Sequence, residues 1–93
     1  MKTKKSYSLV DGSFKASEAR EVLMSLIGSK ITFHNVKNMS SLERNGEADV
    51  HSEQRIEELK LSRQEIRKIL EMAEEEQLRV RISSGIHISL EKK

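Results

Sequence analysis

The sequence predicts an α+β fold: a two-layer sandwich with two helices on one face of a three- or four-stranded mixed sheet, in the order β-α-β-α-β(-β). Three observations predict it. From Leu78 to Leu90 the apolar residues Leu78, Val80, Ile82, Ile86, Ile88 and Leu90 alternate with Arg79, Arg81, Ser83, His87 and Ser89. That is the period-two pattern of a sheet with one dry and one wet face. Ala19, Val22, Leu23, Leu26 and Ile27 form one helical stripe, and Ile56, Leu59, Ile66, Ile69, Leu70 and Ala73 form a second.

The elements follow in order. Lys5–Val10 places Tyr7 and Leu9 opposite Ser6 and Ser8, a first strand closed by the Asp11-Gly12 turn. Gly28 stands where the first helix should end in a left-handed cap. Ile31–Asn35 then reads as a second strand with Ile31 and Phe33 inward and Thr32 and His34 outward, so strand, helix and strand make a parallel, right-handed βαβ unit. Residues 36–51 read as a long polar loop in which Ser40 to Gly46 closes one helical turn. Ser52–Gln77 reads as one long helix that continues through the Ser62/Glu65 pair, with Glu74, Glu75 and Glu76 crowding its carbonyl end, either solvated or facing a cation.

Two readings of the last segment are open. A three-residue loop, Ser83 to Gly85, sets Ile82 opposite Ile86, Val80 opposite Ile88 and Leu78 opposite Leu90, and this hairpin is the preferred reading. The other is a single strand spanning ~43 Å at ~3.3 Å per residue, overhanging its neighbours and leaving an edge for another chain.

The 93 residues suit one small domain, with residues 1–4 expected to be disordered. There is no cysteine, hence no thiolate metal site, thiol nucleophile or disulfide framework. The basic start lacks the apolar core of a secretory signal and no run is long enough to span a bilayer, so a soluble, cytoplasmic protein is expected. The net charge of +2 is segregated: residues 1–42 carry +4, residues 43–76 carry −5 and residues 77–93 carry +3. An acidic helical side and a basic sheet side follow.

No catalytic motif is present, so no enzymatic activity and no cofactor are expected. The serines lack a nucleophile elbow, the glycines form no phosphate loop, and His34, His51 and His87 match no metal-ligand spacing. Arg79, Arg81 and His87, with Lys30 and the N-terminal Lys2, Lys4 and Lys5, make a surface suited to phosphates, and nucleic-acid binding is one expectation. It lacks the paired aromatics of a stacking platform, because Tyr7 and Phe33 should face inward. The favoured expectation is a non-catalytic interaction module that meets another protein or a second copy through its sheet.

Val10-Asp11-Gly12 with Phe14, Ile31, Phe33-His34-Asn35, Lys37-Asn38, Ser40-Ser41 with Glu43-Arg44 and Gly46, and Ile86, Ile88 and Leu90 resemble a family of short uncharacterised Bacteroidetes-type proteins. The resemblance covers most of the chain and implies a bacterial cytosolic domain with no assigned activity. It directs attention to Phe33-His34-Asn35 and the loop through Glu43-Arg44. The candidate interaction surface is therefore Thr32, His34, Asn38, Glu43, Arg44, Arg79, Arg81 and His87. The competing structural reading has Asn35 and Asn38 capping loop backbone and Glu43 paired with Arg44 or Lys37.

Overall fold

Four elements make up the chain in the computed structural model, which describes residues 3–92. Strand β1 (Lys4–Phe14) leads into helix α1 (Ala16–Asn45), a short turn reverses into helix α2 (Val50–Glu75), and strand β2 (Val80–Ser89) returns to pair with β1. Among the described residues the sheet has these two strands, antiparallel. The expected three- or four-stranded mixed sheet in βαβαβ order is thus corrected to a β-α-α-β chain, and the parallel βαβ unit is absent. Lys4, expected to be disordered, pairs with Ser89; Lys2, expected in the basic surface, lies outside the described residues.

One segment accounts for most of the difference. Ile31–Asn35, read as a strand, lies inside α1, and Gly28 is interior to the same helix. The inward line of α1 continues beyond Ile27 through Ile31, His34, Asn38 and Ser41 at helical spacing, with Ile31 and His34 buried and Thr32 and Phe33 exposed. Beyond Ile31 its members are polar because they meet polar groups on the turn and on α2, so apolar periodicity fades where the helix continues. The expected loop 36–51 is helical through Asn45 and again from Val50, leaving residues 46–49 as the turn. Gly46 ends α1 at φ 69°, a left-handed conformation suited to glycine, and its N–H donates to Leu42 O.

Each helix end has its own chemistry. Glu18 Oε1 accepts from Lys15 N at the start of α1. Asp49 caps α2 by accepting from Ser52 N. At the end of α2, Leu78 N donates to Ala73 O and Gln77 N donates to Glu74 O, the paired bonds of a Schellman closure. Gln77 holds the left-handed position at φ 56°, which costs a side-chain-bearing residue about 1–2 kcal/mol. Among the crowded glutamates, Glu74 faces a cation: Arg20 lies 3.5 Å away. Helix α2 is continuous through Ser62.

The Leu78–Leu90 alternation forms one strand, not the preferred hairpin: β2 runs unbroken through Ser83–Gly85. Strand β1 likewise passes through Asp11-Gly12 to Phe14 instead of turning there. Opposed residues share a face, so Phe14/Val80, Gly12/Ile82, Val10/Ser84, Tyr7/Ile86 and Lys5/Ile88 make one side of the sheet. Between Ser8 and Val10 the register slips, and Leu9 is the extra residue of a bulge. The slip shifts β1 by one and keeps Tyr7 on the face of Val10 and Phe14. Gly85 lies opposite, where an added Cβ would come 3.1 Å from Tyr7 O.

The core has two parts. Ala19, Leu70 and Ile82 are buried together, flanked by Val10, Phe14, Val22, Leu23, Ile66 and Val80, and this joins the sheet to the roots of the helices. Ile31, Ile56 and Leu59, with Ile27, hold the two helices together beyond the sheet. The outer half of the sheet, residues 4–8 and 85–89, has every residue exposed. With principal extents of 49 × 37 × 15 Å, the molecule is a thin plate whose layers overlap only at their roots.

Candidate functional site

The eight candidate residues fall on two separate surfaces. Thr32, His34, Asn38, Glu43 and Arg44 belong to the outer part of α1, while Arg81 and His87 belong to β2 and Arg79 immediately precedes it. Alternation along β2 correctly places the last three on the wet face. There each is engaged from β1: Arg79 donates to Ser13 Oγ and O at 2.9 Å, Arg81 reaches Asp11 Oδ1 at 2.6 Å, and His87 Nδ1 lies 2.9 Å from Ser6 Oγ. These exposed contacts contribute at most about 1 kcal/mol each, but they partner both guanidinium groups within the chain. Tyr7 and Phe33, expected inward, are 57% and 55% exposed. Tyr7 sits on the sheet face opposite the arginines and Phe33 on α1, so neither stacks beside them.

At the turn between the helices the polar residues serve structure. Ser52, fully buried, donates its one hydroxyl proton to Asp49 Oδ2 at 3.2 Å, so the 3.2 Å contact with His34 Nδ1 has the imidazole as donor. His34 Nε2 is then a bare acceptor, buried and unpartnered. The proton order is His to Ser to Asp, the reverse of a serine made nucleophilic by a histidine base. Burial first, then the charges of Lys30, Lys37, Arg55 and His51, lower the His34 pKa below its ordinary value. Hydrogen bonds from Ser52 lower that of Asp49.

Asn38 Oδ1 accepts from Asp49 N at 2.6 Å, and Ser41 Oγ donates to Glu47 O at 2.8 Å, each satisfying turn backbone. Lys37 lies 4.0 Å from Asp49. Phe33 meets the His34 ring edge-on at 5.2 Å and carries Lys30 over its own ring. Thr32, Glu43 and Arg44 are exposed. Among the described residues no three His, Asp or Glu side chains are placed to share a metal ion, and no helix is long and apolar enough to cross a membrane.

A third surface, on the free side of β2, is apolar and exposed. The outer edge of β2 has no neighbour among the described residues, and beside it Ile86, Ile88 and Leu90 are 42%, 50% and 66% exposed. Ile69, Met72, Ala73, Leu78, Arg79, Val80 and Arg81 line a crevice of about 270 Å³ between α2 and the start of β2. Ile69, Met72 and Leu78 are each more than half exposed, so Ile69 departs from the inward stripe in which it was read. The single-strand reading expected an edge left for another chain, which β2 has, but the overhang it expected is absent, since β1 pairs with β2 along its whole length. Compared with family models, curated proteins and solved structures, the chain matches none.

Proposed function

We propose that this chain is a non-catalytic protein-interaction module that accepts another polypeptide strand along the free edge of β2. One observation carries the reading: an unpaired, unbulged strand edge lies between a half-covered apolar face and the apolar crevice of α2. An edge of this kind is a template for strand addition, in which backbone bonds supply affinity and alternate side chains supply specificity. The engagement of Arg79 and Arg81 by Ser13 and Asp11 weighs against the phosphate-binding alternative.

The test is the mass of the complex the chain forms, in extract and after purification, for wild type, Ser83→Pro and a double Arg79→Glu, Arg81→Glu variant. Proline on an edge removes an outward N–H and leaves the inner ladder intact. The expected result is loss of the complex in Ser83→Pro alone. Retention on RNA or DNA columns that disappears in the arginine variant, with no complex sensitive to Ser83→Pro, overturns the reading.

A further inference from the structure

We propose that the added strand is β2 of a second copy, paired antiparallel about a two-fold axis at Ser84 to give a four-stranded sheet in the order β1-β2-β2-β1; this rests on the strand-addition reading above.

The sequence of β2 is symmetric about Ser84. Positions two, four and six residues away on either side are Ile82 and Ile86, Val80 and Ile88, and Leu78 and Leu90. In an antiparallel pair about that centre, Ile82 of one copy meets Ile86 of the other and Val80 meets Ile88. Moving the axis by one residue sets Ser84 against Ile82 or Ile86. On the wet face Arg81 meets His87 and Arg79 meets Ser89, so no two Lys or Arg residues oppose each other.

The backbone agrees. Leu90 N donates to Thr3 O, so even-numbered residues of β2 direct their N–H and C=O groups toward β1, and odd-numbered residues direct theirs outward. Ser83, Gly85, Arg81 and His87 thus present the groups that a second β2 needs, and in this register they pair odd with odd. The other edge is blunted: β1 carries the Leu9 bulge together with Lys4, Lys5 and Asp11.

Apolar surface is also complementary. Each Val80 is covered by its own helices and lies at the crevice of α2, whereas each Ile88 is bare. The two-fold sets Ile88 of one copy beside Val80 of the other, over Ile69 and Met72. Ile69, Met72, Leu78, Ile86, Ile88 and Leu90 are each 42–66% exposed, an apolar contribution toward the ~800 Å² per partner of a standard interface.

The chain has no cysteine, so Ser84→Cys provides a direct test. On a two-fold axis the paired Cα atoms come within disulfide range, and mild oxidation should convert most of that variant to a covalent dimer. Ser89→Cys, far from the axis, should remain uncrosslinked. Light scattering of the wild type should give twice 10.7 kDa, and Ile88→Lys, which alters a side chain exposed in the single chain, should return the mass to 10.7 kDa. A monomer at every concentration overturns the dimer, while the strand-addition reading is judged separately by a Ser83→Pro-sensitive complex with another chain. A dimer that crosslinks through Ser89→Cys and not Ser84→Cys overturns this register.

Discussion

His34 on α1 donates through Nδ1 to Ser52 on α2, Ser52 passes its only proton to Asp49, and burial leaves His34 Nε2 unpartnered. A proton added at Nε2 would become a buried donor with no acceptor, among the charges of Lys30, Lys37 and Arg55.

Stability should fall in mild acid for this reason. The His34 pKa is lower in the folded state than its ordinary 6.5, so below about pH 6.5 the unfolded chain binds the proton more readily and stability is lost as pH falls. Asp49 acts in the same direction at lower pH: its stabilisation is complete above the ordinary 3.8 and is lost as pH falls through the depressed folded value. Thermal melts from pH 8 to pH 5 should show a declining Tm, and His34→Gln should flatten the decline. An equal decline in that variant would refute the assignment.

Two substitutions should stabilise the chain. Gly28 is interior to α1 with open space where a Cβ would stand, so Gly28→Ala should add about 0.5–1 kcal/mol by restricting the unfolded chain. Gln77→Gly should add roughly 1 kcal/mol by relieving the left-handed residue after α2. Urea denaturation measures both, and a lower midpoint in either variant contradicts its account.

Gly85→Ala should have the opposite sign. Its Cβ would press on Tyr7 O at 3.1 Å, beside the Leu9 bulge, where backbone cannot easily move away. A loss of about 1–3 kcal/mol is expected, with the β1 and β2 amides losing hydrogen-exchange protection before those of the helices.

Leu70 and Ile69, adjacent in sequence, should respond differently. Leu70 is fully buried between the helices and the sheet, so Leu70→Ala should cost about 2–5 kcal/mol. Ile69 is 59% exposed on the crevice, and Ile69→Ala should change the stability of an isolated chain by less than about 0.5 kcal/mol. Dilute-solution denaturation separates the two.

Much of the chain was readable wherever one physical signal dominated. The α2 helix and the first turns of α1 carried clear apolar stripes, and the Leu78–Leu90 alternation put Arg79, Arg81 and His87 on the wet face. Ile31–Asn35 misled because Ile, Thr and Phe favour strands, while the true signal, the line Ile27, Ile31, His34, Asn38, Ser41, changes from apolar to polar midway. Asn38 capping the turn backbone was anticipated, whereas among the described residues Asn35 makes no such cap and Lys37 lies by Asp49 instead of Glu43. The partner of His34 was not anticipated, since nothing in sequence joins it to Ser52.

Sequence by itself determined the period of the helices, the two faces of β2 and the symmetry of that strand about Ser84, because these depend only on neighbours along the chain. Tertiary structure decided that residues 31–45 extend a helix, that the first and last segments pair, and that Leu9 bulges to keep Tyr7 on the Ile86 side. It also decided which apolar residues remain bare. Burial depends on what comes to lie opposite, and the strands that meet here are joined by both helices and distant in sequence.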